Sequence, residues 1–228
     1  MMRTFGLVLA MLVLCAGASM AVNVSYDIYG GWNLITAPLV PFNPDPLSVF
    51  AGAPDGIDGV LTRVDPTNGN ITYDGFDPAG FGNVLLGDGY WLFQSGGGTI
   101  SYDGVPDGVP DGSGNMTDMW ISLPGNQADA GAEPPSGGGW HLIGQPFNHD
   151  TNAVGNLYFT DGSSMKTWED AVAASWVDAA FIGANASTGG FNVQFDGFGD
   201  DDHLRATHGY WIRTYKDNIA LVIPALPS

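Results

Sequence analysis

The chain has almost no thiol. Cys15 is the single cysteine in 228 residues, which excludes an internal disulfide framework and a cysteine-ligated metal. Positive charge is scarce as well. Six Lys and Arg stand against 24 Asp and Glu, giving a formal net charge of −18. Nucleic acid and anionic lipid are held by Lys and Arg, so neither is an expected partner. Familiar catalytic templates are missing: the sequence has no G-x-S-x-G elbow, no H-E-x-x-H pair and no P-loop. Beyond residue 21 there is no apolar run long enough to span a bilayer as a helix.

The first 21 residues read as a secretory signal. Arg3 gives the positive start, Phe5 to Cys15 the apolar stretch, and Ser19-Met20-Ala21 the small-x-small cleavage site. Leu14 precedes Cys15, where a lipoprotein signal needs a small residue. The expected mature chain starts at Val22, contains no cysteine and enters no membrane. Export without disulfides leans towards a bacterial secreted or cell-surface protein.

What is present is a duplication. Gly31-Trp32-Asn33-Leu34-Ile35 with Pro38 returns as Gly139-Trp140-His141-Leu142-Ile143 with Pro146. Tyr73-Asp74-Gly75-Phe76 returns as Phe195-Asp196-Gly197-Phe198, and Gly89-Tyr90-Trp91 as Gly209-Tyr210-Trp211. Three signatures in the same order point to a repeated structural unit.

Strand signals fill both units. Val22, Val24, Tyr26 and Ile28 alternate with polar residues, the period of a half-buried strand. Tyr90 to Phe93 and Thr99 to Tyr102 flank three glycines and read as a hairpin, as do Tyr210 to Tyr215 and Ile219 to Ile223. The expected fold is all-β, with two related antiparallel sandwich or barrel-like units. The first spans 22–108 and the second 116–228, with an acidic Gly/Pro linker at 109–115. These read equally as two domains or as halves of one pseudo-symmetric sheet system. One helix is expected over 165–174 as a lid in the second unit, capped by Ser163 or Ser164, with Trp168, Val172 and Trp176 along one stripe.

Two sets of residues are candidate ligands. Asp103, Asp107 and Asp111 recur every four residues, and Asp111, Ser113 and Asn115 have the one-three-five spacing of a calcium loop. Asp103, Asp107, Asp111 and Asn115 are therefore the candidate calcium ligands, against the alternative of a solvated acidic linker. Trp120, Trp168 and Trp176 occur only in the second unit and are candidates for stacking on a sugar. The repeated Trp32, Trp91, Trp140 and Trp211 are expected in the core. Asp74-Gly75 and Asp196-Gly197 read as two-residue hairpin turns. His203 and His208 are the residues an enzyme reading would need.

The G-W-N-L-I-x-x-P motif, a middle with an alanine-rich helix, and G-Y-W with a return strand resemble a repeat module of bacterial extracellular proteins. The second unit carries the resemblance through Gly139 to Pro146, Thr167 to Trp176 and Gly209 to Pro224. It implies a β fold and a surface location, and no catalytic residue. The leading expectation is a non-catalytic structural or surface-associated protein, a matrix, envelope or filament subunit. It would pack against itself or other envelope proteins, with the strand at Val22 donated to a neighbour's sheet. The alternative is an extracellular carbohydrate-binding module, with calcium as an optional cofactor.

Overall fold

The computed structural model describes residues 21–106, 117–125, 138–152, 155–185, 187–195 and 203–225. Residues 1–20, Cys15 among them, lie outside these. The first half runs β1 (Val22–Ile28), β2 (Gly31–Thr36), β3 (Val40–Pro41), α1 (Pro46–Val49), β4 (Leu61–Asp65), β5 (Gly69–Thr72), α2 (Pro78–Phe81), β6 (Gly89–Gln94) and β7 (Gly98–Val105). The second runs β8 (Met119–Leu123), β9 (Gly139–Gly144), β10 (Thr151–Asn152), β11 (Tyr158–Thr160), β12 (Met165–Thr167), α3 (Trp168–Ala173), β13 (Val177–Asn185), β14 (Gly190–Phe195), β15 (His203–Leu204), β16 (Gly209–Thr214) and β17 (Ile219–Ile223). The fold is all-β, with antiparallel sheets and short helices.

Each half has two sheets. In the first, β2-β6-β4-β5 carries the GW and GYW strands, and β1-β7-β3 carries the lead and return strands. In the second, β9-β16-β13-β14 and β8-β17-β11-β12 play the same parts, and β10 pairs with β15. The expected hairpins are therefore sheet-to-sheet corners. β6 and β7 lie in different sheets, as do β16 and β17. At the corner between β1 and β2, which also lie in different sheets, Asn33 is a clamp. Its amide oxygen accepts from the Tyr29 N–H at 2.9 Å, and its nitrogen donates to the Tyr29, Gly31 and Leu92 carbonyls at 2.8, 3.1 and 3.3 Å.

The space between the two sheets of each half is its core. Ile35, Tyr90 and Leu92 face Val24, Ile28, Ile100 and Tyr102 in the first half. Ile143, Tyr210 and Ile212 meet Leu123, Phe159, Ile219 and Leu221 in the second. The tyrosine of GYW does the same work twice. The Tyr90 hydroxyl accepts from the Leu85 N–H at 2.8 Å, and the Tyr210 hydroxyl from the Arg205 N–H at 2.7 Å. Each bond spans five residues and pins the turn leading into its strand. Burial pushes the Tyr90 phenol well above the usual range, so it stays protonated. Tyr90→Phe and Tyr210→Phe should each lower stability by about 1 kcal/mol, the worth of one such bond. Urea denaturation checks this, and unchanged midpoints in both variants would show that the hydroxyls are not needed.

Three local expectations are corrected. The helix begins at Trp168, not Met165, because Met165–Thr167 pairs with β11 and Thr167 caps the helix by accepting from the Asp170 N–H. Asp74-Gly75 is not a hairpin loop. The Asp74 carboxylate accepts from the Phe76 N–H at 2.8 Å and its carbonyl from the Asp77 N–H, and α2 follows rather than a strand. Asp196-Gly197 lies outside the described residues. The lead strand β1 is not free either. All seven of its residues pair with β7, and Val24 and Ile28 are buried.

The two halves pack through the outer faces of their GW/GYW sheets, and the contact is reciprocal. Ile35 bridges His208, and the equivalent Ile143 bridges Asp88, the residue at the place of His208. The Thr36 N–H donates to the Thr207 carbonyl at 3.0 Å, and the equivalent Gly144 N–H donates to Gly87 at 2.8 Å. Such exchange of equivalent partners is the mark of twofold pseudo-symmetry. A small apolar cluster lies at its centre: Leu34, Leu142 and Ala184 buried, with Val64, Trp91 and Trp211 packed around them. The repeated glycine of GYW now has a reason. A Cβ on Gly89 would lie 2.9 Å from Leu142 Cγ, and one on Gly209 would lie 3.2 Å from Leu34 Cγ.

Candidate functional site: an aromatic groove between the halves

The four repeated tryptophans are not in the two sheet cores. On β2, Asn33 and Ile35 point inward, so Trp32 and Leu34 point to the outer face. Trp32 is 54% exposed. It stands across from Phe93 on β6 and makes edge contacts with Trp91 at 5.9 Å and Phe93 at 5.3 Å between ring centroids. In the second half Trp140 meets Trp211 edge-on at 6.4 Å.

The turn between β13 and β14 reaches over the first of these pairs. Gly30, Gly31, Trp32 and Trp91 from the first half, and Ala184, Gly189, Gly190 and Phe191 from the second, wall a groove of about 510 Å³. Phe191 is 64% exposed there. Beyond Ala184 lies a second pocket of about 450 Å³ with a polar lining that includes Asn185, Ser187, Thr207 and His208. Each is large enough for a small organic ligand.

The pseudo-symmetry supplies a control within the molecule, because the corresponding place on the other side is built differently. Arg213 stands across from Trp140 where Phe93 stands across from Trp32. Its guanidinium lies 5.9 Å from the Trp140 ring centre and 5.2 Å from that of Tyr215. On β5, Asn70 pairs with Val64 in the register where Phe191 pairs with Ala184. One side is thus lined by aromatic rings, and the other carries a cation over its tryptophan.

The residues singled out from sequence do not converge here. Trp168 is 0% exposed, packs on Phe181 at 4.9 Å and donates its indole N–H to the Asp178 carbonyl. Trp176 is buried, with Lys216 Nζ 4.1 Å from its ring centre. Both are corrected from stacking residues to packing residues, since neither offers a ring face to a sugar. Trp120 is 54% exposed on β8, an outer strand of its sheet, away from the groove residues. Of the candidate calcium ligands, Asp107, Asp111 and Asn115 lie outside the described residues. Asp103 is on β7, its carboxylate accepting from the Asn23 amide at 2.9 Å. Among the described residues, no group of three or more His, Cys, Asp or Glu is placed to hold a metal ion.

Phe93, Phe191 and Thr207 were not singled out from sequence. The signal was available in the duplication. The turns at Asp65 to Gly69 and Asn185 to Gly190 correspond, and aligning the halves through them sets Asn70 against Phe191. No protein-family model matches this chain, and no curated protein or solved structure shows significant similarity to it.

Proposed function

We propose that the protein is an extracellular carbohydrate-binding module that stacks a sugar between Trp32 and Phe191. The observation that carries this is the groove itself: three aromatic rings brought together from the two halves, two of them facing solvent. A pyranose has an apolar C–H face and a rim of hydroxyls. The rings suit the face, and the exposure of Trp32 and Phe191 leaves the rim open to water. The formal net charge of −18 argues for an uncharged glycan over an anionic one. The proposed role is binding without catalysis.

Self-assembly as a matrix or filament subunit has less support. The apolar outer faces of the GW/GYW sheets are used within one chain, and β1 is paired with β7. The test is a glycan array with the mature protein, with and without chelator, beside Trp32→Ala. Trp32→Ala should weaken binding by about tenfold or more, as expected for loss of a stacked ring. An array with no binder, or a binder indifferent to Trp32→Ala, would overturn the proposal. Loss of binding on chelation would bring calcium back into the account.

A further inference from the structure

We infer that the polar pocket beside the aromatic groove is a second sugar subsite, so that the ligand is an oligosaccharide of at least two linked residues. This rests on the carbohydrate reading and extends it. The groove and the pocket share Ala184 as a wall, so a chain stacked on Trp32 has a next residue to place.

The pocket is suited to neutral hydroxyls. Tyr29, Asn185, Ser187, Thr207 and His208 line it. Its two charged residues already have partners. Arg205 forms an ion pair with Asp150 at 2.6 Å, and Asp27 accepts from the Thr99 hydroxyl at 2.9 Å. His208 Nδ1 lies 2.9 Å from the Ala206 carbonyl. In the neutral ring that bond makes Nδ1 the donor, and Nε2 the acceptor.

An independent observation comes from the backbone. Thr207 has a φ of 68°. A β-branched residue is strained in the left-handed region, and such strain gathers where function holds it in place. The corresponding residue in the first half is Gly87, with a φ of 83°. The inter-half contact therefore requires this conformation at both places, since both carbonyls accept across the axis. Glycine meets the requirement without strain. Threonine is kept where the position lines the polar pocket, and the gain we assign to it is a hydroxyl for the ligand.

Thr207→Gly tests this and should fold, because it copies the first half. It is expected to raise the melting temperature while weakening oligosaccharide binding by about five- to tenfold, the worth of a lost hydrogen bond. Affinities would be measured by calorimetry for ladders from monosaccharide to hexasaccharide of cellulose, chitin, mannan and xylan type. In the ladder that binds, the wild type should tighten sharply from the monosaccharide to the di- or trisaccharide. Thr207→Gly should flatten that step and leave monosaccharide affinity unchanged, whereas Trp32→Ala should weaken every rung. If the monosaccharide binds as tightly as the longer chains, or Thr207→Gly leaves the step intact, the second subsite is wrong and the groove proposal stands. If no ladder binds, the groove proposal falls with it.

Discussion

Gly144→Val should prise the two halves apart. Gly144 sits at the pseudo-twofold axis, and a Cβ there would run into the Thr36 side chain and the Asp88 carbonyl. A threonine rotamer can turn away, but a backbone carbonyl cannot move without its strand. The Gly144 N–H also holds the Gly87 carbonyl at 2.8 Å, so separation sacrifices that bond and the facing one between Thr36 and Thr207. Forcing side-chain atoms into a filled site costs about 1–3 kcal/mol, and strand displacement adds to it. We expect a loss of about 3 kcal/mol or more. Trp91 and Trp211 lie in the cluster that would open, so tryptophan fluorescence follows the event directly. Glycan binding should fall in parallel, because the groove takes walls from both halves. An unchanged denaturation midpoint would show that the axis is not close-packed.

Asp88→Asn should do the reverse and stabilise the protein at neutral pH. Burial pushes the Asp88 carboxyl up to about 6 from the ordinary 3.8, and the Arg63 guanidinium only partly offsets it. The folded pKa is above the unfolded one. The folded state therefore holds the proton more tightly, and the resulting stability is complete below about pH 4 and lost as pH rises through 6. At pH 7.5 the charged carboxylate costs about 2–3 kcal/mol. Asparagine keeps the shape and removes the charge, so the variant should be more stable by about 2 kcal/mol at pH 7.5 and equal to wild type near pH 4. Other carboxylates shift the opposite way. Bonds from Lys216 and the Ser163 and Ser164 region hold Asp161 well below its usual range. At Asp150 burial pushes upward, but the Ala206 amide and Arg205 outweigh it. Their contributions fade only at low pH, and they cancel when variant and wild type are compared at each pH. A stability difference flat from pH 4 to pH 7.5 would rule out the Asp88 account.

Much of this architecture was legible in the sequence, for a definite reason. Strands announce themselves by period two, and the GW and GYW signatures recurring in order locate equivalent strands whatever lies between them. The sheet partition was not legible. A glycine corner joining neighbours in one sheet and one joining strands of opposed sheets leave the same trace: two apolar runs around a short glycine turn. Asn33 holds one such corner, between β1 and β2 in opposed sheets, through bonds that sequence does not display. The tryptophans were misplaced for a related reason. Trp32, Leu34 and Ile35 form a nearly unbroken apolar run, which means that both faces of the strand are covered, not that all its residues share one core. The groove was harder still, since Trp32 and Phe191 are far apart in sequence and meet only through the packing of the halves.

Thr36 and Gly144 hold equivalent places beside the axis, and there is room for only one side chain. Each half is therefore shaped to accept the other and not a copy of itself; two first halves would set threonine against threonine. Covalent linkage then does what affinity would otherwise have to do, because a tethered partner is present at an effective concentration no free unit could reach. That allows the apolar cluster between the halves to stay small. It also frees the flanking positions to diverge, so that rings collect on one side of the axis and a cation takes the other.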